Sequence, residues 1–130
     1  MVHAVALEGA VFALNFYSPL FVDQLRKGRK TATIRLGDKT GKYRQGQLVW
    51  ITVGHRYGPR QKIFTAIIDS VDVKPIRELT QRDIERDNPE FRLVEDTIHF
   101  LSHIYSREVT LDDAVSIIHF SEVVEFPSLK

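Results

Sequence analysis

The chain has 130 residues, 43% of them apolar and 27% charged, and a formal net charge of +1, which fits one globular domain with a real hydrophobic core. It contains no cysteine, so disulfides and thiolate metal sites are excluded. No window approaches the roughly 20 apolar residues of a spanning helix, and Met1 to Ala10 has neither a basic start nor an apolar run of signal length. A cytoplasmic protein without membrane contact is expected.

The near-neutral total conceals an uneven distribution. Residues 26–62 hold eleven Lys/Arg against one acid, Asp38, a local net of +10. Residues 63–130 hold seven Lys/Arg and fourteen Asp/Glu, a net of −7, and residues 1–25 add −2. Either the two regions neutralise each other across a shared surface, or the basic one faces an anion, for which phosphate is the usual source.

In chain order, Phe12, Leu14 and Phe16 alternate with Val11, Ala13 and Asn15, predicting a strand over residues 11–16. Ser18-Pro19 then reads as an N-cap oxygen followed by proline at the first helical position. Phe21, Val22 and Leu25 fall at helical spacing, and Gly28 supplies the stop. The next strand is expected over residues 31–36. Its parity puts Ala32, Ile34 and Leu36 on a core face, and Thr31, Thr33 and Arg35 on a face toward solvent or a cleft.

Gly37 to Lys42 is a basic, glycine-containing loop that lacks phosphate-loop spacing, so no nucleoside triphosphate and no cofactor are expected there. Leu48 to Val53 reads as a strand with Trp50 in the core. Ile63 to Val73 reads as its hairpin partner, rich in isoleucine and valine. The turn between them, Gly54 to Arg60, carries Arg56, Tyr57 and Arg60, which together offer stacking and phosphate contacts to single-stranded RNA.

Thr80-Gln81-Arg82-Asp83 has capping-box character and starts a short helix that Pro89 interrupts. An amphipathic helix over 91–105 follows, with Phe91, Val94, Ile98, Leu101 and Tyr105 on one face. Residues 115–120, extending toward Phe126, form the closing strand. His99 and His103 share a helix face, but Phe100 stands where zinc peptidases place a glutamate, and no metal is expected. Many short strands with two or three short helices and no internal linker give a single α+β domain, a small mixed barrel or sheet.

The stretch Gly28-Arg29-Lys30-Thr31-Ala32-Thr33-Ile34-Arg35 lies at the predicted helix-to-strand turn. Its pattern Gly-x-Lys-x-x-Thr-x-Arg resembles the signature of the ASCH domain, a family of the PUA-like superfamily. Gly46 before a strand, Leu79-Thr80 before a helix and Tyr105 at the end of the next helix agree with it. The resemblance covers residues 11–122 and leaves short terminal extensions.

It implies a PUA-like small β-barrel with a basic cleft that binds RNA or a modified nucleoside. Gly28, Arg29 and Arg35 would be ligand-binding, joined by Arg56, Tyr57 and Arg60 from the hairpin. Some small bacterial members hydrolyse the acyl amide of N(4)-acetylcytidine with a lysine, a threonine and a glutamate. By position these fall on Lys30, Thr33 and Asp87. Asp87 is one methylene shorter than the glutamate, with Glu85 and Glu90 as nearby alternatives.

On chemical grounds Thr33 would be the nucleophile and Lys30 its base, since a lysine serves as a base once burial or a neighbouring cation depresses its pKa. Asp87 would orient or accept a proton. A third reading is a regulatory protein-interaction module whose basic face meets an acidic partner.

Overall fold

The computed structural model describes residues 12–55 and 57–124. Five strands form one mixed sheet: β1 (Phe12–Phe16), β2 (Ala32–Leu36), β3 (Leu48–Gly54), β4 (Arg60–Pro75) and β5 (Ala114–Glu122). Among the described residues three helices flank it: α1 (Phe21–Arg26), α2 (Gln81–Asp87) and α3 (Val94–Tyr105), with a 3-10 turn at Ile76–Glu78 leading into α2. The strand order is β1-β3-β4-β5-β2, with β1 parallel to β3 and every other pair antiparallel. Among the described residues, no helix is long and apolar enough to cross a membrane.

Strand β4 is sixteen residues long and shifts register between Ile68 and Ser70 against β5. A bulge of this kind bends the strand and increases its twist. The sheet thereby curls into a half-barrel whose terminal strands, β1 and β2, face each other across a seam. The Arg35 guanidinium of β2 spans that seam and donates to the Asn15 carbonyl of β1 at 3.1 Å.

Two apolar clusters result. Leu14, Phe16, Ile51, Ile68, Ile118 and Phe120 fill the concave side. Ala32, Ile34, Ile76, Leu101, Val115 and Ile117 form a second cluster on the face of β2 and β5 that α3 covers. Strand β2 is buried on both faces, with Ala32 and Ile34 in the second cluster. Thr33 and Arg35 have the opposite parity and point with Ile118 into the barrel.

The local signals operate with small offsets. Helix α1 begins at Phe21 rather than Pro19, because the Ser18 and Pro19 carbonyls accept from Phe21 and Val22 three residues on, a tighter turn before the helix proper. Thr80 and Asp83 form the expected capping box of α2. Helix α3 starts at Val94, where the Asp96 carboxylate takes the N–H groups of Arg92 (3.0 Å) and Leu93 (2.9 Å). Its left-handed C-cap is Ser106. Gly54 ends β3 where a Cβ would lie 2.3 Å from the Pro59 carbonyl oxygen, so the hairpin closes only around a glycine.

Trp50 is not in the core. It is 41% exposed, because Val49, Ile51 and Val53 occupy the inner face of β3 and alternation turns Trp50 outward. The Lys62 ammonium covers it at 4.8 Å from the ring centre.

Candidate functional site

Gly28 sets the position of the site. Its φ of +70° is a left-handed conformation that suits glycine, and it reverses the chain after α1. The Gln24 carbonyl then accepts from both Arg29 N–H (2.9 Å) and Lys30 N–H (3.1 Å), which turns the Lys30 side chain inward. Lys30 is 2% exposed. Its ammonium donates to the carbonyls of Ala32 (3.0 Å) and Asp87 and to Asp87 Oδ1 (3.0 Å). It also sits 4.9 Å from the ring centre of Phe16 and 5.0 Å from that of Phe21.

Asp87, 5% exposed at the last turn of α2, uses the same Oδ1 to accept the N–H of Ile34 at 3.0 Å. The Arg86 carbonyl beside it accepts from Thr31 N–H. The C-terminal end of α2 therefore caps the outer edge of β2, which no strand covers. The edge of β1 is treated alike, with its Ala13 and Asn15 carbonyls accepting from the Tyr43 hydroxyl and from Arg35. An uncovered strand edge presents unmade hydrogen bonds, and here side chains supply them.

Burial pushes the Lys30 pKa below the ordinary lysine value; the Asp87 carboxylate opposes that shift, and Arg35 adds to it. The three acceptors nevertheless match the three donors of a charged ammonium. Thr33 Oγ1 is not among those acceptors. It accepts instead from Arg35 Nε at 3.0 Å, and this leaves the threonine proton free to be donated.

Lys30, Thr33, Arg35 and Asp87 all line one cleft of about 190 Å³ at the seam. Its walls are aromatic and apolar, with Phe16 and Tyr17 from the end of β1, Phe21 from α1, and Phe100, Ile104 and Tyr105 from α3 and its end. Asn15 completes the polar set. Its side-chain amide is fixed by donating to the Gly54 carbonyl (2.8 Å) and accepting from the Thr52 hydroxyl (2.8 Å).

A second hollow of about 370 Å³ adjoins this cleft and shares Asn15, Tyr17, Arg35 and Tyr105 with it. Lys39, Lys42 and Arg60 bring further cations to that hollow. Part of the basic segment of the sequence, Arg35, Lys39, Lys42 and Arg60, thus lies beside the cleft.

The remaining sequence candidates are placed as follows. Gly28 lines a different groove, of about 740 Å³, that Lys30, Arg86 and His119 also line. Arg29 is exposed and is not among the residues lining the cleft. Tyr57 is 90% exposed at the hairpin tip, away from the cleft lining. Arg56 lies outside the described residues. Glu85 and Glu90 are exposed, so Asp87 is the carboxylate that enters the cleft. His99 and His103 are exposed on α3. Among the described residues no group of three metal-ligating side chains comes together.

Sequence reasoning missed Asn15, Tyr17 and the α3 wall. Asn15 had a signal, being the one polar residue in an otherwise apolar strand pattern.

With this geometry in view, the fold is that of the ASCH domain, a PUA-like half-barrel with flanking helices. No protein-family model matches the sequence, and no curated protein matches it. Among solved structures, the chain is similar to an ASCH domain from Lactobacillus crispatus JV V101, with a TM-score of 0.65 and 17% identity over 92% of this chain and 84% of that one. A protein from Enterococcus faecalis V583 superposes with a TM-score of 0.62 and 18% identity, covering 80% of this chain and 70% of its own. A protein from Pyrococcus furiosus gives 0.57 and 15%, covering 87% and 97%. At these identities the likeness establishes the fold.

Proposed function

We propose that this protein binds single-stranded RNA or a nucleoside, taking one base into the cleft at the barrel seam. The observation that carries this reading is the continuity of the two hollows. An aromatic-walled slot with a few fixed polar groups opens directly onto a hollow bearing Arg35, Lys39, Lys42 and Arg60. About 190 Å³ is room for roughly six waters at ~30 Å³ each, the scale of a heterocycle rather than a whole nucleotide. Phe16, Phe21 and Phe100 offer an apolar wall, Arg35 offers donors to a carbonyl or ring nitrogen, and the cations outside suit a phosphate.

Titration of a short labelled oligoribonucleotide at several salt concentrations tests this. Binding is expected to weaken with salt, with log K falling by about 0.7 per phosphate neutralised, hence a slope near −2 to −3 if three or four cations engage. Binding that ignores salt, or no binding, overturns the reading.

A second reading has its own observation: a buried lysine of lowered pKa, a carboxylate at 3.0 Å from it and a threonine hydroxyl line one cleft. In amide hydrolysis of N(4)-acetylcytidine, Thr33 Oγ1 would attack the acetyl carbon and pass its proton to neutral Lys30. The amide C–N bond would then break as Lys30 returns that proton to the departing N4 amine, and water would hydrolyse the acetyl–Thr33 ester to acetate and free threonine. The attack step requires the Lys30 amine to release one of its three present acceptors, which is why binding is the first reading. Incubation with N(4)-acetylcytidine is expected to release acetate from the wild-type protein and not from Thr33→Val, which keeps the shape and removes the hydroxyl. Absence of turnover, or equal turnover by Thr33→Val, eliminates this reading.

A further inference from the structure

Tyr17 stands where four hollows meet. It lines the base cleft, the basic hollow beside it, a third hollow with Pro19, Gly54 and Arg60, and a fourth of about 380 Å³ with Phe21, Phe100, His103 and Ile104. Its side chain leaves β1 directly after the buried Phe16, yet the residue is 46% exposed. Among the described residues no other ring packs against it. A tyrosine that only filled space at a strand end would be expected to pack on Phe16 or Phe21. Those two rings pack on each other instead, at 5.9 Å between centres.

The basic hollow and the fourth hollow, each sharing lining residues with the cleft, differ in character. One is lined by Arg35, Lys39, Lys42 and Arg60. The other is mainly apolar, and it shares Tyr17, Phe21, Phe100 and Ile104 with the base cleft. A free nucleoside would put its base in the cleft and its ribose at the mouth, with no phosphate for the cations and no second base for the apolar hollow. A strand would use all three, with phosphates along the cations and a second base on the apolar side.

Resting on the base-binding reading above, we propose that Tyr17 is a stacking platform for the nucleotide adjacent to the bound base, so that the natural ligand is an oligonucleotide strand rather than a free nucleoside. The neighbouring base lies against the Tyr17 ring and extends over Ile104. Ring stacking tolerates every base, so this second position adds affinity without adding sequence preference.

Calorimetric titration of the four nucleoside 5′-monophosphates and of trinucleotides carrying each as the central base tests the proposal, with the ratio of the two affinities as the readout. In the wild-type protein the trinucleotide is expected to bind more tightly than its mononucleotide. Tyr17→Ala is expected to reduce that ratio by about 5- to 150-fold, and Tyr17→Trp to preserve it. A wild-type ratio near one, or a ratio that Tyr17→Ala leaves unchanged, overturns the stacking platform while the base cleft stands. Failure of both ligand types to bind the wild-type protein overturns the base-binding reading, and this proposal with it. Thermal melting of each variant separates a folding defect from lost stacking: Tyr17→Ala melting with the wild type and losing the ratio supports the proposal.

Discussion

Lys30→Ala is expected to lower the unfolding free energy by about 3–5 kcal/mol, the usual result of stranding one partner of a buried ion pair. The Asp87 carboxylate would keep only the Ile34 N–H as a donor, inside a site where it is 5% exposed. The Ala32 and Asp87 carbonyls would lose their shared donor as well. Because these groups join the end of α2 to the edge of β2, the loss falls on the contact that shapes the cleft floor. The double variant Lys30→Met/Asp87→Leu is expected to recover much of the loss, since it removes both desolvated charges and keeps apolar volume. Urea unfolding of the three proteins checks this; a single-variant cost under about 1 kcal/mol would mean the pair does not hold the edge.

The same lysine gives the stability a sign with pH. Burial lowers its pKa in the folded state below the ordinary value of 10.5. Between the folded value and 10.5 the unfolded chain binds more protons than the folded one, so stability rises with pH across that window. Below the window the folded protein carries the full cost of a charged, desolvated ammonium. The difference between wild type and Lys30→Met should therefore move in this direction on the alkaline side and be flat at lower pH.

Arg35→Ala is expected to weaken ligand binding by about ten- to a hundredfold, the range for losing a charge-assisted hydrogen bond of about 1.5–3 kcal/mol. The guanidinium uses Nε on Thr33 and one terminal nitrogen on the Asn15 carbonyl, so its plane is fixed across the seam before any ligand arrives. Arg35 also lines both the seam cleft and the basic hollow. Arg35→Lys should recover little, because a single ammonium cannot hold Thr33, Asn15 and a ligand in one plane. Titration at two salt concentrations adds detail. A salt slope that falls by about 0.7 in Arg35→Ala assigns the arginine to a phosphate, and an unchanged slope assigns it to a base edge. Wild-type affinity in Arg35→Ala would remove the seam from the binding surface.

Much of this architecture was legible residue by residue. The period-2 pattern of β2 separated Ala32 and Ile34 from Thr33 and Arg35, and the structure keeps that division. Gly28 and the Thr80–Asp83 box marked a helix end and a helix start through their local backbone chemistry.

What escaped was set by closure of the sheet. Asn15 and Tyr17 belong to the site only because β1 curls round to face β2, a relation between terminal strands that neither pattern encodes. Trp50 was misplaced because the general tendency of tryptophan to be buried outweighed, in that reading, the alternation of its own strand. The ion pair joins positions 57 apart in sequence, and only the packing of α2 against β2 brings them together.

The seam also bears on how the cleft accommodates what enters it. Strands β3, β4 and β5 are each paired on two sides, whereas β1 and β2 are each paired on one. Among the described residues no backbone ladder joins those two outer strands, and the Arg35 guanidinium hydrogen-bonds across them. Spreading β1 from β2 would disturb the Arg35–Asn15 contact but break no rung of the sheet. The barrel is in this sense a sprung clip rather than a closed ring. Its stiffness lies in the three central strands, and its compliance lies at the mouth of the cleft.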